Sequence, residues 1–254
     1  MIGGRTGSSA LFPDAEGLAT RLAADGYPFL RGIHDISQVL AARAEAFGRL
    51  EAVGEIAPPA VDGIATGASR REEAVADLGA RGNRFRRVRV CAVSHGPRIR
   101  ETMGTVVSQP MHAQDYMFLR PAPVGRSTGP HCGYPFFARA IEAVFTVWTA
   151  FGPVPISDGP LAVVEGSHRF ADLVEATRGF GVARDSAHKA GPAEDQVSFA
   201  HARGRVRLST DVRFQLVGAP QGPRYFGPNP GGTTGAGYGE LNRAKPLTGP
   251  WHIR

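Results

Sequence analysis

Short β-branched runs, divided by glycine and proline, dominate the chain from Phe85 onward. They cover residues 88–93, 117–119, 144–150, 161–164 and 206–214. β-Branched and aromatic residues favour strands, and many short strands separated by turn residues are typical of β-sandwiches and jelly rolls. The pattern predicts a mainly β core over about residues 85–216.

The first third of the chain carries helical signals instead. Helices are predicted over residues 15–24, 35–50 and 71–78. Asp14 and Asp35 can cap the first two, because short polar side chains accept hydrogen bonds from the free N–H groups of a first turn, and Gly26 can end the first. Residues 54–69 are predicted to be a loop near the site entrance, and the Gly/Pro-rich tail 218–239 is predicted to be a lid or an oligomer contact.

Length and composition fit one domain. A chain of 254 residues with 42% hydrophobic content can bury a substantial core, and barrels of this size commonly remain single. Cys91 and Cys132 are too few for a disulfide framework and lack Cys-x-x-Cys spacing. The first residues lack the apolar stretch of a signal peptide, and no apolar run approaches a membrane span. We therefore expect one domain over residues 1–254, in a reduced, cytoplasmic setting and with no membrane partner.

The net charge of +6 comes almost entirely from arginine, which supplies 27 of the 29 basic residues beside Lys189 and Lys245. Arginine suits bidentate binding of carboxylate or phosphate. A local concentration of arginines marks one short stretch: Arg81, Arg84, Arg86, Arg87 and Arg89. Such a run indicates either a solvated basic face or a small anionic substrate. No helix-turn-helix, zinc finger or RNP-like motif accompanies it, which disfavours a nucleic acid polymer.

The triplet His131-Cys132-Gly133 is a candidate metal motif only in its context. With 33 glycines and 8 histidines in the chain, a bare His-x-Gly arises by chance. Four downstream motifs give it weight by their order: a Trp-containing apolar run at 144–151, Asp-Gly-Pro-Leu at 158–161, Gly-Ser-His-Arg at 166–169 and Arg-x-Ser at 207–209.

This order resembles the phytanoyl-CoA dioxygenase-like family of Fe(II)/2-oxoglutarate oxygenases. The segment 22–32 is also similar to that family's opening helix-to-strand segment, so the resemblance spans about residues 15–216. It implies a double-stranded β-helix, that is, a cupin-like jelly roll with flanking α-helices. Within it, the Gly-Ser-His-Arg segment corresponds to a structural turn, and Trp148 is expected to lie in the core.

The resemblance implies that iron is held by His131 and a second histidine, while the family's usual His-x-Asp carboxylate is replaced by Gly133. The family's spacing before Arg207 points to Gln196, where no histidine stands, so the segment before His201 looks shortened. His201 is the nearest candidate, with His188 as the fallback. Two histidines and a carboxylate leave three sites for cosubstrate and oxygen, and loss of the carboxylate opens one more for an anion. The variant resembles halogenases, in which chloride occupies that site.

The same resemblance assigns 2-oxoglutarate to Arg207 and Ser209, which lie on one face of a strand because they are two residues apart. Gln114, Tyr116 and Thr128 match positions that often line the cosubstrate pocket, although ordinary strand residues are the alternative. The aromatic residues after Gly133 are candidate substrate contacts that could stack on a base: Tyr134, Phe136 and Phe137. The arginine-rich charge favours a small anionic substrate, and a nucleotide in antibiotic biosynthesis is the preferred hypothesis.

Three other interpretations stay open. A hydroxylase could keep iron on two histidines with water in the third place. A metal-free binding protein of the same fold would agree with the shortened segment at 194–201. A plain β-sandwich with an accidental resemblance is the last, since each motif alone is weak.

Overall fold

The structure is a computed structural model that describes residues 6–68, 89–122, 143–170, 204–222 and 225–227, together with Gly4 and Pro230. Four helices and three strands lie in these ranges: α1 (Ala15–Asp25), α2 (Ile36–Ala52), α3 (Arg89–Ser94), α4 (Pro97–Val107), β1 (Met111–Ala122), β2 (Val144–Ala150) and β3 (Arg207–Leu216). Single 3-10 turns cover Ser9–Leu11, Ala60–Asp62, Ile156–Asp158 and Ser167–Arg169.

Helices α1 and α2 confirm the sequence prediction to within two residues. The carboxylate of Asp35 accepts a hydrogen bond from the Gln38 N–H at 2.9 Å, which satisfies a free donor of the first turn of α2. Helix α1 ends at Gly26, whose φ of 79° is left-handed and whose N–H donates to the Leu22 carbonyl at 2.9 Å. Glycine is suited to this position because it has no Cβ to clash.

The strands form one antiparallel sheet in the order β1-β3-β2. The central strand, β3, is therefore the last of the described strands in sequence order. Ser209 of β3 lies opposite Arg120 of β1 and Ala150 of β2, and Asp211 lies opposite Phe118 and Trp148. A register shift interrupts the β1–β3 ladder between Ala113 and Met117.

The two faces of β3 differ sharply in chemistry. Leu208, Val212 and Phe214 are buried, and they share one core with helices α2, α3 and α4. Side chains alternate between the faces of a strand, so the residues between these point the other way. That second face carries Arg207, Ser209, Asp211, Arg213 and Gln215. The helices cover the apolar face, and the polar face carries the candidate site residues Arg207 and Ser209.

Residues 88–93 were predicted to be a strand, and this prediction is wrong from residue 89. Residues 89–93 lie in helix α3, in which Val90 and Val93 are buried one turn apart beside α2. β-Branched residues are tolerated in a helix when tertiary packing buries them, and packing outweighs their strand propensity here. Residues 161–164 do not form a strand either; Leu161, Val163 and Val164 lie exposed in an irregular segment.

Helix α4 was not predicted, although its sequence carries two helical signals. Pro97 occupies the first turn, where its missing N–H costs nothing. Ile99, Met103 and Val106 follow at helical spacing and are buried. The predicted helix at 71–78 lies outside the described residues.

The described strands make a single sheet, so the second sheet of the expected jelly roll is not seen in these ranges. No helix of the described chain is long and apolar enough to cross a bilayer.

Candidate functional site

Arg207 begins the polar face of β3, and its guanidinium is half-buried. Its Nη1 donates a hydrogen bond to Ser209 Oγ at 3.2 Å, and its Cζ lies 5.7 Å from the centre of the Trp148 ring. The Nε of Arg207 is buried and has no hydrogen-bond partner among the described residues. A buried charged donor without a partner is costly, so this atom points to an anionic ligand.

Burial lowers the pKa of Arg207, and nearby Arg120 lowers it further, while Asp211 opposes both. The guanidinium remains a cation at neutral pH, because the ordinary pKa of arginine is far above neutrality. Trp148 was expected in the core. It lies instead on the polar face, half-buried and beside Arg207, because its position in β2 pairs with Asp211.

Asp211 is the one acidic side chain on this face of β3. Its carboxylate forms an ion pair with Arg120 Nε, and Asp211 is 12% exposed there against 38% for Arg120. The next same-face residue, Arg213, is buried, lies 4.7 Å from the Phe118 ring centre and donates from Nη1 to the Asp211 carbonyl at 3.3 Å. Burial lowers the pKa of Arg213 to about 10, although Asp211 raises it. A single carboxylate thus compensates several guanidinium groups.

The far end of the polar face is closed by amides and aromatic rings. Gln114 Nε2 donates to Gln215 Oε1 at 3.1 Å, and Gln215 Nε2 donates to the carbonyls of Ala219 and Pro220. An aromatic cluster lies beside this pair: Tyr116, Phe118, Tyr225 and Phe226. The Gly227 N–H donates to the Asp115 carboxylate at 2.8 Å, which fixes the 225–227 segment against β1.

The structure brings Arg207 and Ser209 together on one face of β3, but it places Gln114 elsewhere. Gln114 pairs with Gln215, eight residues along β3 from Arg207, which corresponds to roughly 27 Å of strand. One small diacid does not span that distance. Gln114 therefore does not share a ligand with Arg207, and Tyr116 belongs to the aromatic cluster.

The Gly-Ser-His-Arg segment is a structural turn, as predicted. Gly166 has a left-handed φ of 72° and precedes the 3-10 turn Ser167–Arg169. His168 Nε2 lies 3.1 Å from the Ala23 carbonyl oxygen, and its ring lies so close to Gly26 that a Cβ there would meet Nδ1 at 2.5 Å. This turn therefore anchors the end of α1.

The remaining predicted site residues lie outside the described residues: Thr128, His131, Gly133, Tyr134, Phe136, Phe137 and His201. Arg81, Arg84, Arg86 and Arg87 do so as well. Within the ranges that are described, no group of three or more His, Cys, Asp or Glu side chains could hold a metal ion.

Sequence reasoning missed Asp211, Arg213 and Arg120. The signal for the first two was present, since a charged or strongly polar residue recurs at every second position from Arg207 to Gln215. Arg120 carries no such signal, because only the β1–β3 register brings it opposite Ser209 and within reach of Asp211.

We expect Asp211→Asn to lower the free energy of unfolding by about 3–5 kcal/mol, because it leaves buried cations without their compensating charge. The matched control is Glu101→Gln, which breaks the exposed Arg98–Glu101 pair at 3.6 Å. The control should cost no more than about 1 kcal/mol. Urea unfolding of both variants makes the comparison, and equal small losses would show that Asp211 does not hold the polar face together.

A comparison with protein families matches residues 25–204 to the family described as phytanoyl-CoA dioxygenase (PhyH). Neither the curated proteins nor the solved structures give a match. The family match ends three residues before Arg207, so it does not extend to Arg207 and Ser209. Because the match covers well over half of the 254 residues, the chain belongs to the phytanoyl-CoA dioxygenase family.

Proposed function

We propose that the protein is an Fe(II)/2-oxoglutarate-dependent halogenase that chlorinates an unactivated aliphatic carbon of a small anionic substrate. The family points to Fe(II)/2-oxoglutarate-dependent oxygenase activity, which is the coarser part of this statement. One observation in the structure supports 2-oxoglutarate binding. The buried Nε of Arg207 lacks a partner in the described chain and lies beside the Ser209 hydroxyl.

The residues around Arg207 fit one end of 2-oxoglutarate. A carboxylate in front of the guanidinium would accept the unused Nε–H together with a second N–H, giving a bidentate pair. The Ser209 hydroxyl already lies 3.2 Å from Nη1 and can donate to the same carboxylate. The Trp148 ring lies beside the guanidinium and limits its motion. Arg207 thus orients the cosubstrate, and partial burial strengthens the pair by excluding water.

The proposed iron ligands are His131 and a second histidine, His201 or the fallback His188. Iron with 2-oxoglutarate and oxygen supplies the oxidising power that removes hydrogen from an unactivated carbon. The third protein ligand of the iron is missing in this sequence. Gly133 has no side chain, so the place of the family's carboxylate is open to chloride.

The substrate side of the proposal rests on sequence. Tyr134, Phe136 and Phe137 follow Gly133 and offer rings on which a base could stack. The excess of arginine favours an anionic substrate, and we propose a nucleotide in natural-product biosynthesis.

A hydroxylase is the second candidate, because the family match supports oxygenase chemistry without selecting chlorine over oxygen. A metal-free binding protein is the third, favoured by the shortened segment before His201. Product analysis with and without chloride separates the two enzymes, and iron binding separates both from the binding protein.

His131→Ala should lose stoichiometric Fe(II) and the absorption band that 2-oxoglutarate gives on iron, because it removes a neutral imidazole ligand. Anaerobic titration followed by optical spectroscopy measures both. His168→Ala is the matched control, since His168 serves a structural turn, and it should bind iron normally. Comparing His201→Ala with His188→Ala then identifies the second ligand. Full iron binding by His131→Ala would remove this residue from the metal centre.

Arg207→Gln should weaken 2-oxoglutarate binding at least tenfold, because loss of one member of a desolvated charge pair costs about 2–5 kcal/mol. Ser209→Ala removes one hydrogen bond and should weaken binding by about fivefold, equivalent to ~1 kcal/mol. Calorimetric titration gives both affinities. The control is Arg100→Gln, which removes an exposed charge on α4. An unchanged affinity in Arg207→Gln would exclude this arginine from the cosubstrate site.

Gly133→Asp should abolish chlorination, because the carboxylate fills the open position and repels a second anion. Hydroxylation would appear only if the substrate carbon lies well for it, since a shift of about 1 Å changes such reactivity strongly. Wild type, Gly133→Asp and Gly133→Ala are incubated with Fe(II), 2-oxoglutarate, oxygen, chloride and a panel of nucleotides. Mass spectrometry then detects the chlorine isotope pair.

The outcome that contradicts the halogenase is a wild type that only hydroxylates at saturating chloride. If glycine at 133 merely relieves a tight turn, Gly133→Ala misfolds and the wild type consumes no chloride.

A further inference from the structure

A basic groove lies between helix α2, residues 153–158 after β2 and residues 205–206 before β3. It encloses about 460 Å³. Its charged lining consists of Arg31, Arg43 and Arg205 with one carboxylate, Asp158, and its wall is formed by residues 153–155. Arg43 comes from α2, while Arg205 stands two residues before the start of β3. The fold therefore collects three guanidinium groups that are far apart in the sequence.

These guanidinium groups lack ion-pair partners in the part of the chain that the structure describes. The ion pairs found there use other arginines: Arg21, Arg49, Arg98 and Arg120. Arg43 is half-buried, and its pKa is lowered by burial and then by the like charge of Arg205. Two cations near each other are unfavourable, and the groove has only one carboxylate, Asp158, to offset three guanidinium groups. An anion in the groove would relieve this repulsion.

Local structure holds Arg43 in the groove. Its Cζ lies 4.7 Å from the centre of the Phe47 ring. Gly152 lies beside it, since a Cβ at Gly152, whose φ is +145°, would lie 3.4 Å from Arg43 Cδ, an ordinary contact distance. The aromatic face restricts the conformations open to Arg43.

The other two arginines are exposed, and hydrogen bonds hold the backbone around each of them. The Arg31 N–H donates to Ser9 Oγ at 2.6 Å, and the guanidinium lies 4.8 Å from the Phe29 ring centre. Arg205 forms a bridge with Ile64, and the next residue donates its N–H to the Gly63 carbonyl at 2.7 Å. The backbone contacts therefore bring all three arginines to the groove.

We propose that this groove binds the phosphate group of a small phosphorylated molecule. Three arginines and one aspartate leave two positive charges uncompensated. A phosphate monoester carries about −1.5 to −2 charges at neutral pH and offers three acceptor oxygens, which matches both the charge and the number of guanidinium groups. A single carboxylate would leave a positive charge unmatched.

The groove is adjacent to Arg207 but uses different arginines. A smaller cavity shares Arg43, Pro153, Val154 and Val206 with the groove and reaches Arg207. A phosphorylated ligand in the groove would be held by guanidinium groups other than that of Arg207. Its binding needs neither iron nor 2-oxoglutarate, so this inference does not depend on the halogenase proposal.

The test is calorimetric titration of the full chain, free of iron and 2-oxoglutarate, with inorganic phosphate, adenosine 5′-monophosphate and adenosine. We expect both phosphate-bearing probes to bind and adenosine to bind at least tenfold more weakly than its monophosphate. Equal affinity for the two phosphate-bearing probes supports a site for free phosphate, whereas tighter binding of the monophosphate supports an organic carrier. Equal affinity for adenosine and its monophosphate overturns the proposal.

Two substitutions test whether phosphate binds in this groove. Arg205→Gln and Arg43→Gln should each weaken phosphate binding by about tenfold, the effect of losing a hydrogen bond to a charged group. Arg205 is exposed, so its replacement leaves the core intact, and circular dichroism checks the fold of both variants. Arg100→Gln removes the same charge elsewhere and should bind as wild type does.

Three results would overturn the groove assignment. These are no binding of phosphate at millimolar concentration, an equal loss in Arg100→Gln, and a loss in Arg207→Gln while the groove variants bind normally. Failure of chlorination by the enzyme leaves each of these measurements unaffected, so the two proposals fail separately.

Discussion

The burial of one face of β3 is the constraint on which the described fold depends. Leu208, Val212 and Phe214 are 3%, 1% and 0% exposed, and they join the same core as the helices. Because a strand shows its side chains alternately, burying these residues forces Arg207, Ser209 and Asp211 to the opposite face. A slip of one residue would put three apolar side chains there and bury the arginines under the helices. The position of the site follows from the register of the core.

The polar face of β3 carries more guanidinium groups than carboxylates. Asp211 is paired with Arg120 and also lies near Arg207 and Arg213, so its one negative charge is shared. Arg213 is buried deeply enough to depress its pKa, whereas Arg207 is only half-buried. Of these two arginines on one strand, Arg207 is therefore the more accessible.

Sequence predicted the elements whose signals are local. Helices α1 and α2 have caps and apolar spacing that can be read directly, and β2 and β3 have strong strand composition. Residues 89–94 form a helix although their β-branched residues favour a strand. The spacing of Val90 and Val93 suits a helix, and it outweighs the strand preference because both side chains are buried beside α2. Arg207 and Ser209 could be predicted to lie side by side because two residues of one strand share a face. The Asp211–Arg120 pair and the basic groove could not, because each joins segments whose meeting depends on the tertiary fold.

At two places in the described chain, carboxylates only partly balance the arginines: around Arg207 and in the groove. Near Arg207 the cation is partly compensated by Asp211, so a single carboxylate of a ligand suffices to complete it. In the groove, Asp158 faces three guanidinium groups, so a doubly charged ligand is needed for the same balance. A protein with uncompensated cations loses stability through their repulsion and regains it when an anion binds.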